Sequence, residues 1–223
     1  FQCGFCKVKS YLTAKGVFQY VLPSSAPPDQ HLLYFPYWRF KGMLFSCLPG
    51  DINNRFIDVS HQAIGSMHFP FSVGFRSQAL KLRFATADIP GRFLTPVLDF
   101  EAVVGQFIER FSRDLRKPIL HQAQIGEALS ILYAPFYQKE NGRLFDAVLN
   151  EPTAASLAEP LDPDTLAGGA SPFSIDFLAT LCPHCGWDLS GSRDSLVLAC
   201  QNCHRAWKAK GKRLVELKLA HLP

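Results

Sequence analysis

Near the end of the chain, CPHCGWDLSGSRDSLVLACQNCHRAW carries Cys182 and Cys185 as one C-x2-C pair and Cys200 and Cys203 as another, with fourteen residues between the pairs. A C-x2-C turn points two thiolates the same way, so two such turns can close a tetrahedral shell of four sulfurs about one ion, at metal–sulfur distances of about 2.3 Å. A closed shell leaves no position for water or substrate. The expected role of these four residues is therefore to hold a structural zinc ion, which supplies the folding energy that about forty residues cannot gain by burial alone. A turn at Ser190 and Gly191 and a strand running into the second pair fill the interval. His184 and His204 stand in or beside the turns and read as solvent-facing residues, secondary to the sulfurs.

A third pair, Cys3 and Cys6, opens the chain in FQCGFCKVKSYLTAKG. Three readings compete for it. In the first, the pair locally resembles a glutaredoxin or thioredoxin site: Cys3 is the nucleophile, Cys6 the resolving thiol, and a helix over residues 7–15 lowers the thiolate pKa. Those folds need a strand before the motif, and only Phe1 and Gln2 precede it here. In the second reading, FQCGFC closes another ribbon as LACQNC closes the C-terminal one and binds a second zinc. Its remaining ligands then come from upstream of Phe1, or from Cys47, His31 or His61. In the third, the residues are plain thiols. Cys47, alone in an aromatic run, reads as a small buried hydrophobe.

The 223 residues, 48% of them apolar and 13% aromatic, suffice for one sizeable domain and a small one. No apolar run approaches the roughly 18 residues of a membrane-spanning helix, and no secretory signal is visible. An odd number of cysteines, six of them in C-x2-C pairs, fits a reducing compartment, so the expectation is a soluble cytoplasmic protein. The chain starts at Phe1 rather than Met, which leaves room for an upstream segment. Phosphate loops, G-x-S-x-G, H-E-x-x-H and paired carboxylates are all missing from the sequence. The redox use of Cys3 and Cys6 is thus the only enzymatic reading with named residues.

Charge is distributed unevenly: 16 basic and 11 acidic residues in 1–150, none and five in 151–181, seven and three in 182–223. Segment 151–176, rich in Pro, Ala and Gly and free of Lys and Arg, reads as an acidic linker. It separates a β-rich domain (1–150) from a zinc ribbon with a basic tail (177–223). Aromatic and β-branched runs such as HLLYFPYWRFKGMLFSC, RFIDVSH, ALKLRFAT, PILHQAQI, EALSILYAPFYQ and RLFDAVLNE read as strands. One main helix follows Asp99, with Val103, Phe107, Ile108 and Phe111 at helical spacing. YFPYWRFKGMLF from Tyr34 and YAPFYQKENGRLF from Tyr133 form an internal repeat. Each copy reads as a β-hairpin turning at Gly42 or Gly142, with Pro36 or Pro135 on an edge strand or at a bulge. The fold class that follows is α+β: mostly antiparallel β with one main helix, two duplicated halves, and a C-terminal four-cysteine ribbon.

The ribbon at 182–207 together with the YFPYW strand at 34–38 resembles a loose group of bacterial zinc-ribbon proteins of unknown function that carry a β-rich domain. The resemblance implies fold and no activity. Zinc ribbons act mostly as platforms, and Arg205, Trp207, Lys208, Lys210, Lys212 and Arg213 cluster after the last cysteine. The functional expectation is a non-enzymatic zinc-binding scaffold or adaptor that docks a protein partner through this cluster, with nucleic acid as the second choice of partner. The thiol-disulfide oxidoreductase using Cys3 and Cys6 is the alternative.

Overall fold

The computed structural model describes residues 2–5, 7–112, 118–153, 161–192, 195 and 197–218, and leaves the side chains of 108, 110–112, 124 and 126–128 outside the description. The chain forms two compact units, one of residues 17–172 and one that joins residues 1–16 to 173–223. The division therefore falls at other places than the boundaries at 150 and 177. Residues 161–171, read as linker, fold onto the larger unit: Leu161 is buried in its core and the Ser171 hydroxyl donates to the Ala85 carbonyl.

In chain order, β1 (Ser10–Ala14) lies in the smaller unit. The larger unit holds β2 (Phe18–Val21), β3 (Leu33–Leu48), β4 (Asp51–Gln62), α1 (Arg76–Ala79), β5 (Arg83–Phe84) and β6 (Arg92–Leu94), followed by α2 (Phe100–Ser112), β7 (His121–Gln138), β8 (Leu144–Asp146), β9 (Glu151–Pro152) and β10 (Gly168–Gly169). The smaller unit resumes with β11 (Ile175–Ala179), β12 (Leu189–Ser190), β13 (Val197–Cys200), β14 (Ala206–Lys210) and β15 (Arg213–Leu217). The fold is thus mostly β, with two helices among the described residues, and not the α+β arrangement around one main helix that the sequence implies.

One sheet organises the larger unit, in the order β10-β6-β3-β7-β2-β5, with β4 beside β3 and β8 and β9 beyond β7. Its two central strands, β3 and β7, are paired antiparallel; β3 carries the first copy of the repeat, and the second copy begins in β7 at Tyr133 and continues through the turn into β8. Tyr34, Phe35 and Pro36 lie opposite Pro135, Ala134 and Tyr133, which makes the pairing locally two-fold. Leu33, Phe35, Tyr37, Leu132, Ala134 and Phe136 bury one face, whereas Tyr34, Ile131 and Tyr133 bury the other. Burial on both faces explains a continuous apolar run where a half-exposed strand would alternate.

The prolines are on central strands, not on an edge or at a bulge. Each stands where the outer neighbour changes. On β3 the parallel β6 ends at Tyr34 and the antiparallel β4 begins at Tyr37; on β7 the parallel β2 ends at Tyr133 and β8 begins at Phe136. A missing N–H is harmless at such a changeover. The carbonyls remain in use, Pro36 accepting from the Ala63 N–H at 2.9 Å and Pro135 from that of Ala147 at 3.0 Å.

Gly142 lies in the turn between β7 and β8, as read. Gly42 does not turn the chain; β3 continues through it to Leu48 and shifts register between Lys41 and Gly42, a β-bulge. Beyond the bulge, α2 covers Phe40, Leu44 and Ile57 with Val103 and Phe107, and the Asp99 carboxylate caps it by accepting the Ala102 N–H at 2.8 Å. Ile108 and Phe111, the other predicted helix contacts, have side chains outside the described set. The helix expected over residues 7–15 is absent, and Ser10–Ala14 instead pairs as β1 with β11. Tyr11 and Thr13 are β formers, and cross-strand partners decide the conformation of so short a segment.

Phe35 is fully buried and stacks on Phe69 with ring centroids 4.0 Å apart. Phe35→Ala should cost about 3–5 kcal/mol of unfolding free energy. Phe75→Ala, at an 80% exposed ring, should change it by less than about 0.5 kcal/mol. Urea unfolding of the two variants beside the parent checks both.

Candidate metal centre

In the smaller unit β12, β13, β14 and β15 form a four-stranded antiparallel sheet. Its short strands would bury little by themselves. Two tight turns bring the cysteines together. In the first, the Cys182 N–H donates to the Trp187 carbonyl at 2.7 Å and the Gly186 N–H returns to the Cys182 carbonyl at 2.8 Å. In the second, the Cys200 N–H donates to the Arg205 carbonyl at 2.8 Å and the His204 N–H returns to Cys200 at 3.0 Å. The fifth residue of each turn is left-handed, Gly186 with φ 74° and His204 with φ 56°. Glycine adopts that conformation freely, and histidine is among the residues enriched there.

The four sulfurs lie within 4.8 Å of one another, with Cys182 to Cys203 at 3.6 Å and Cys185 to Cys200 at 3.5 Å. A disulfide would need about 2.05 Å. A tetrahedron with metal–sulfur bonds of about 2.3 Å has sulfur–sulfur edges of about 3.8 Å. The cluster is therefore compact enough for a tetrahedral ion and could hold a metal. Among the described residues it is the one group of His, Cys, Asp and Glu side chains so arranged.

Backbone N–H groups converge on these sulfurs. Burial pushes the Cys182 thiol up, but the N–H groups of Cys185 and His184 outweigh it and leave the thiol below its ordinary value. The Asn202 side chain, and after it the Trp187 N–H, hold Cys185 down to about 6. Burial carries Cys203 the other way, up to about 12, despite the Arg205 N–H. Four crowded thiols cannot all ionise on their own, and a central cation removes that conflict. Beneath the sulfurs, Leu189, Leu198 and Trp207 pack against Cys182 and Cys200.

Trp207 is only 7% exposed and belongs to this small core, so it is not the exposed stacking residue that the sequence allowed. The exposed indole is Trp187, at 59%. Arg205 pairs with Glu216 at 3.1 Å and Lys212 with Asp176 at 2.9 Å. Lys208, Lys210 and Arg213 are exposed, with Lys210 opposite Arg213 and Lys208 opposite Val215 across β14 and β15. Val197 lies on the other side of Lys208. Charge clustering was legible in the sequence; the apolar neighbours Val197 and Val215 follow only from the register.

His184 and His204 are exposed, and the cluster is made of sulfur alone. His61 is a core residue with both ring nitrogens engaged, Nδ1 with the Gln62 carbonyl at 2.7 Å and Nε2 with Gln106 Oε1 at 2.8 Å. Cys47 is half-buried rather than enclosed. Cys3 sits in a turn followed by a strand, so the helix that the redox reading requires is not formed; Cys6 lies outside the described residues.

Compared with protein-family models, with curated proteins and with solved structures, the chain matches none of them. Of the likeness to zinc-ribbon proteins, the four-cysteine cluster is the part the structure bears out. No helix among the described residues is long and apolar enough to cross a membrane.

A thiol raised to about 12 stays protonated through the neutral range, and an ion must displace that proton to bind the thiolate. The apparent metal affinity should therefore rise at least about tenfold per pH unit between pH 6.5 and 8.5. Competition against a chromophoric chelator at three pH values measures this slope, and a flat profile would contradict it.

Proposed function

We propose that the ion is zinc, that its role is structural, and that the chain is a non-enzymatic adaptor whose ribbon docks a protein partner. The closed set of four sulfurs carries the reading: it saturates a tetrahedral ion, leaves no position for substrate, and uses ligands that zinc favours. A sheet this small, stapled by one ion, is a rigid platform. Its outward face combines Lys208, Lys210 and Arg213 with Val197 and Val215. Cations around exposed valines suit an acidic protein surface with apolar contacts of its own.

Nucleic acid ranks second because Trp207, the aromatic within the basic cluster, is buried, while the ion pairs of Arg205 and Lys212 reduce the cations facing outward. The redox alternative ranks below both, having lost the helix on which its activation depended.

Elemental analysis of the reduced protein should find zinc that Cys182→Ser releases. Partner capture from nuclease-treated extract should survive the nuclease, and Lys208→Glu with Lys210→Glu and Arg213→Glu should weaken it about tenfold or more. Iron in place of zinc would refute the metal assignment, and capture that vanishes with nuclease would refute the protein partner.

A further inference from the structure

On the sheet of the larger unit, one row of side chains crosses four strands at the same level: Phe18 on β2, Ser130 on β7, Arg39 on β3 and Ser60 on β4. Directly opposite residues of neighbouring strands share a face, so Ser130 is a small side chain between a ring and a guanidinium. One row along, Tyr20, Leu132 and Tyr37 occupy the same face, and Leu132 and Tyr37 are fully buried. At Ser130 the face is not filled. A cavity of about 260 Å³ remains there, walled by Phe18, Tyr20, Leu82 and Leu129 and edged by Arg39 and Lys41.

Three donors belong to this lining. Arg39 is held side-on by Asp58, with Nε donating to Oδ1 at 2.8 Å and Nη2 to Oδ2 at 2.6 Å. A side-on pair uses one edge of the guanidinium and leaves Nη1 on the other. Asp58 approaches from β4, so the uncommitted edge is the one turned toward β7 and Ser130. Ser130 is 4% exposed, and among the described residues neither its hydroxyl nor that of Tyr20 has a hydrogen-bond partner. Burial raises the Tyr20 phenol above its ordinary value against the opposing pull of Arg39, so it remains a protonated donor at neutral pH. Leaving a buried hydroxyl unpaired is unfavourable, and such groups in native folds call for a partner that completes them. The rest of the lining is aromatic and aliphatic. Tyr20 stacks on Phe84 with centroids 5.2 Å apart, and Phe18 lies 5.9 Å from the same ring.

We infer that this cavity is a binding site for a small aromatic carboxylate, whose ring packs against Phe18 and Tyr20 and whose carboxylate accepts from Arg39 Nη1 and the hydroxyls of Ser130 and Tyr20. A few placed donors in an otherwise apolar recess are the usual makeup of a small-molecule site. The cavity is slightly smaller than the roughly 300–1,000 Å³ of sites for drug-sized ligands, so a single ring with its carboxylate suits it. Asp58 already offsets the charge of Arg39, which suits a singly charged carboxylate better than a doubly charged phosphate. The site lies wholly in the larger unit, and its reading does not depend on the metal or the partner assigned to the smaller one.

The test is a titration of the full chain with para-fluorobenzoate, followed by the fluorine NMR signal of the probe. Binding to the parent should saturate with a Kd of about 1 mM or tighter. The uncharged para-fluorobenzamide should bind about tenfold more weakly or worse. Ser130→Ala removes one donor and should weaken para-fluorobenzoate about tenfold, and Ser130→Leu should abolish binding by filling the cavity. Phe75→Ala, at a ring that does not line the cavity, should leave the Kd unchanged. Circular dichroism checks that each variant is folded, and Ser130→Ala decides the matter if Ser130→Leu does not fold. Absence of saturable binding to the parent would overturn the proposal. So would a Kd that Ser130→Ala does not change, equal binding of the benzamide, or displacement by inorganic phosphate as effective as that by benzoate.

Discussion

The antiparallel pairing of β3 with β7 is the constraint on which the larger unit depends. Every other strand of its sheet joins at the outer edge of one of these two or at a strand that does. Because the pair is buried on both faces around Phe35 and Ala134, neither strand can slip by one residue without exchanging two complete sets of side chains. Such a slip would put the tightly stacked rings of Tyr34 and Phe93, 4.3 Å between centroids, in place of Phe35 on Phe69. The prolines sit at the one kind of position where a central strand tolerates them, between two successive neighbours. Their carbonyls accept from Ala63 and Ala147, both of which are fully buried.

The smaller unit works by a different rule. Its core is a few side chains around Trp207, too little to hold four short strands by hydrophobic burial alone. An ion closing the sulfur tetrahedron would supply what is missing, since binding four thiolates at once resists unfolding of both turns together. The turns themselves are local objects. Each consists of six or seven residues held by two backbone hydrogen bonds and a left-handed fifth position, which is why the same geometry arises at Cys3, Cys182 and Cys200 with different residues between the cysteines.

Packing the indole of Trp207 under the sulfurs also shapes what the outer face can recognise. On β14, alternation sends Trp207 inward and Lys208 and Lys210 outward, and the pairing with β15 adds Arg213 and Val215 to the same face. A tryptophan among basic residues in the sequence reads as a stacking platform. In the fold it is structural, and the outward surface is aliphatic and cationic. That difference removes Trp207 from the residues open to a partner.

Features set by near neighbours were legible in the amino-acid sequence alone. The C-x2-C spacing identified the cysteines that cluster and could hold a metal, Asp99 identified the start of α2, and the aromatic runs identified the strands, because turns, caps and strand preference act over a few residues. Pairing across the chain was not legible. Gly42 has the form of a turn residue, yet the long register with β4 and β7 carries the chain straight through it. Residues 7–15 could form a short helix of about two and a half turns or a strand, and β11, more than a hundred and fifty residues away, decides for the strand at Ser10–Ala14. Residues 161–171 of the supposed linker are folded because Leu161 finds a place in the core of the larger unit. In each case the free energy of distant partners exceeds a local preference of a few tenths of a kcal/mol per residue, and only the tertiary structure states which partners those are.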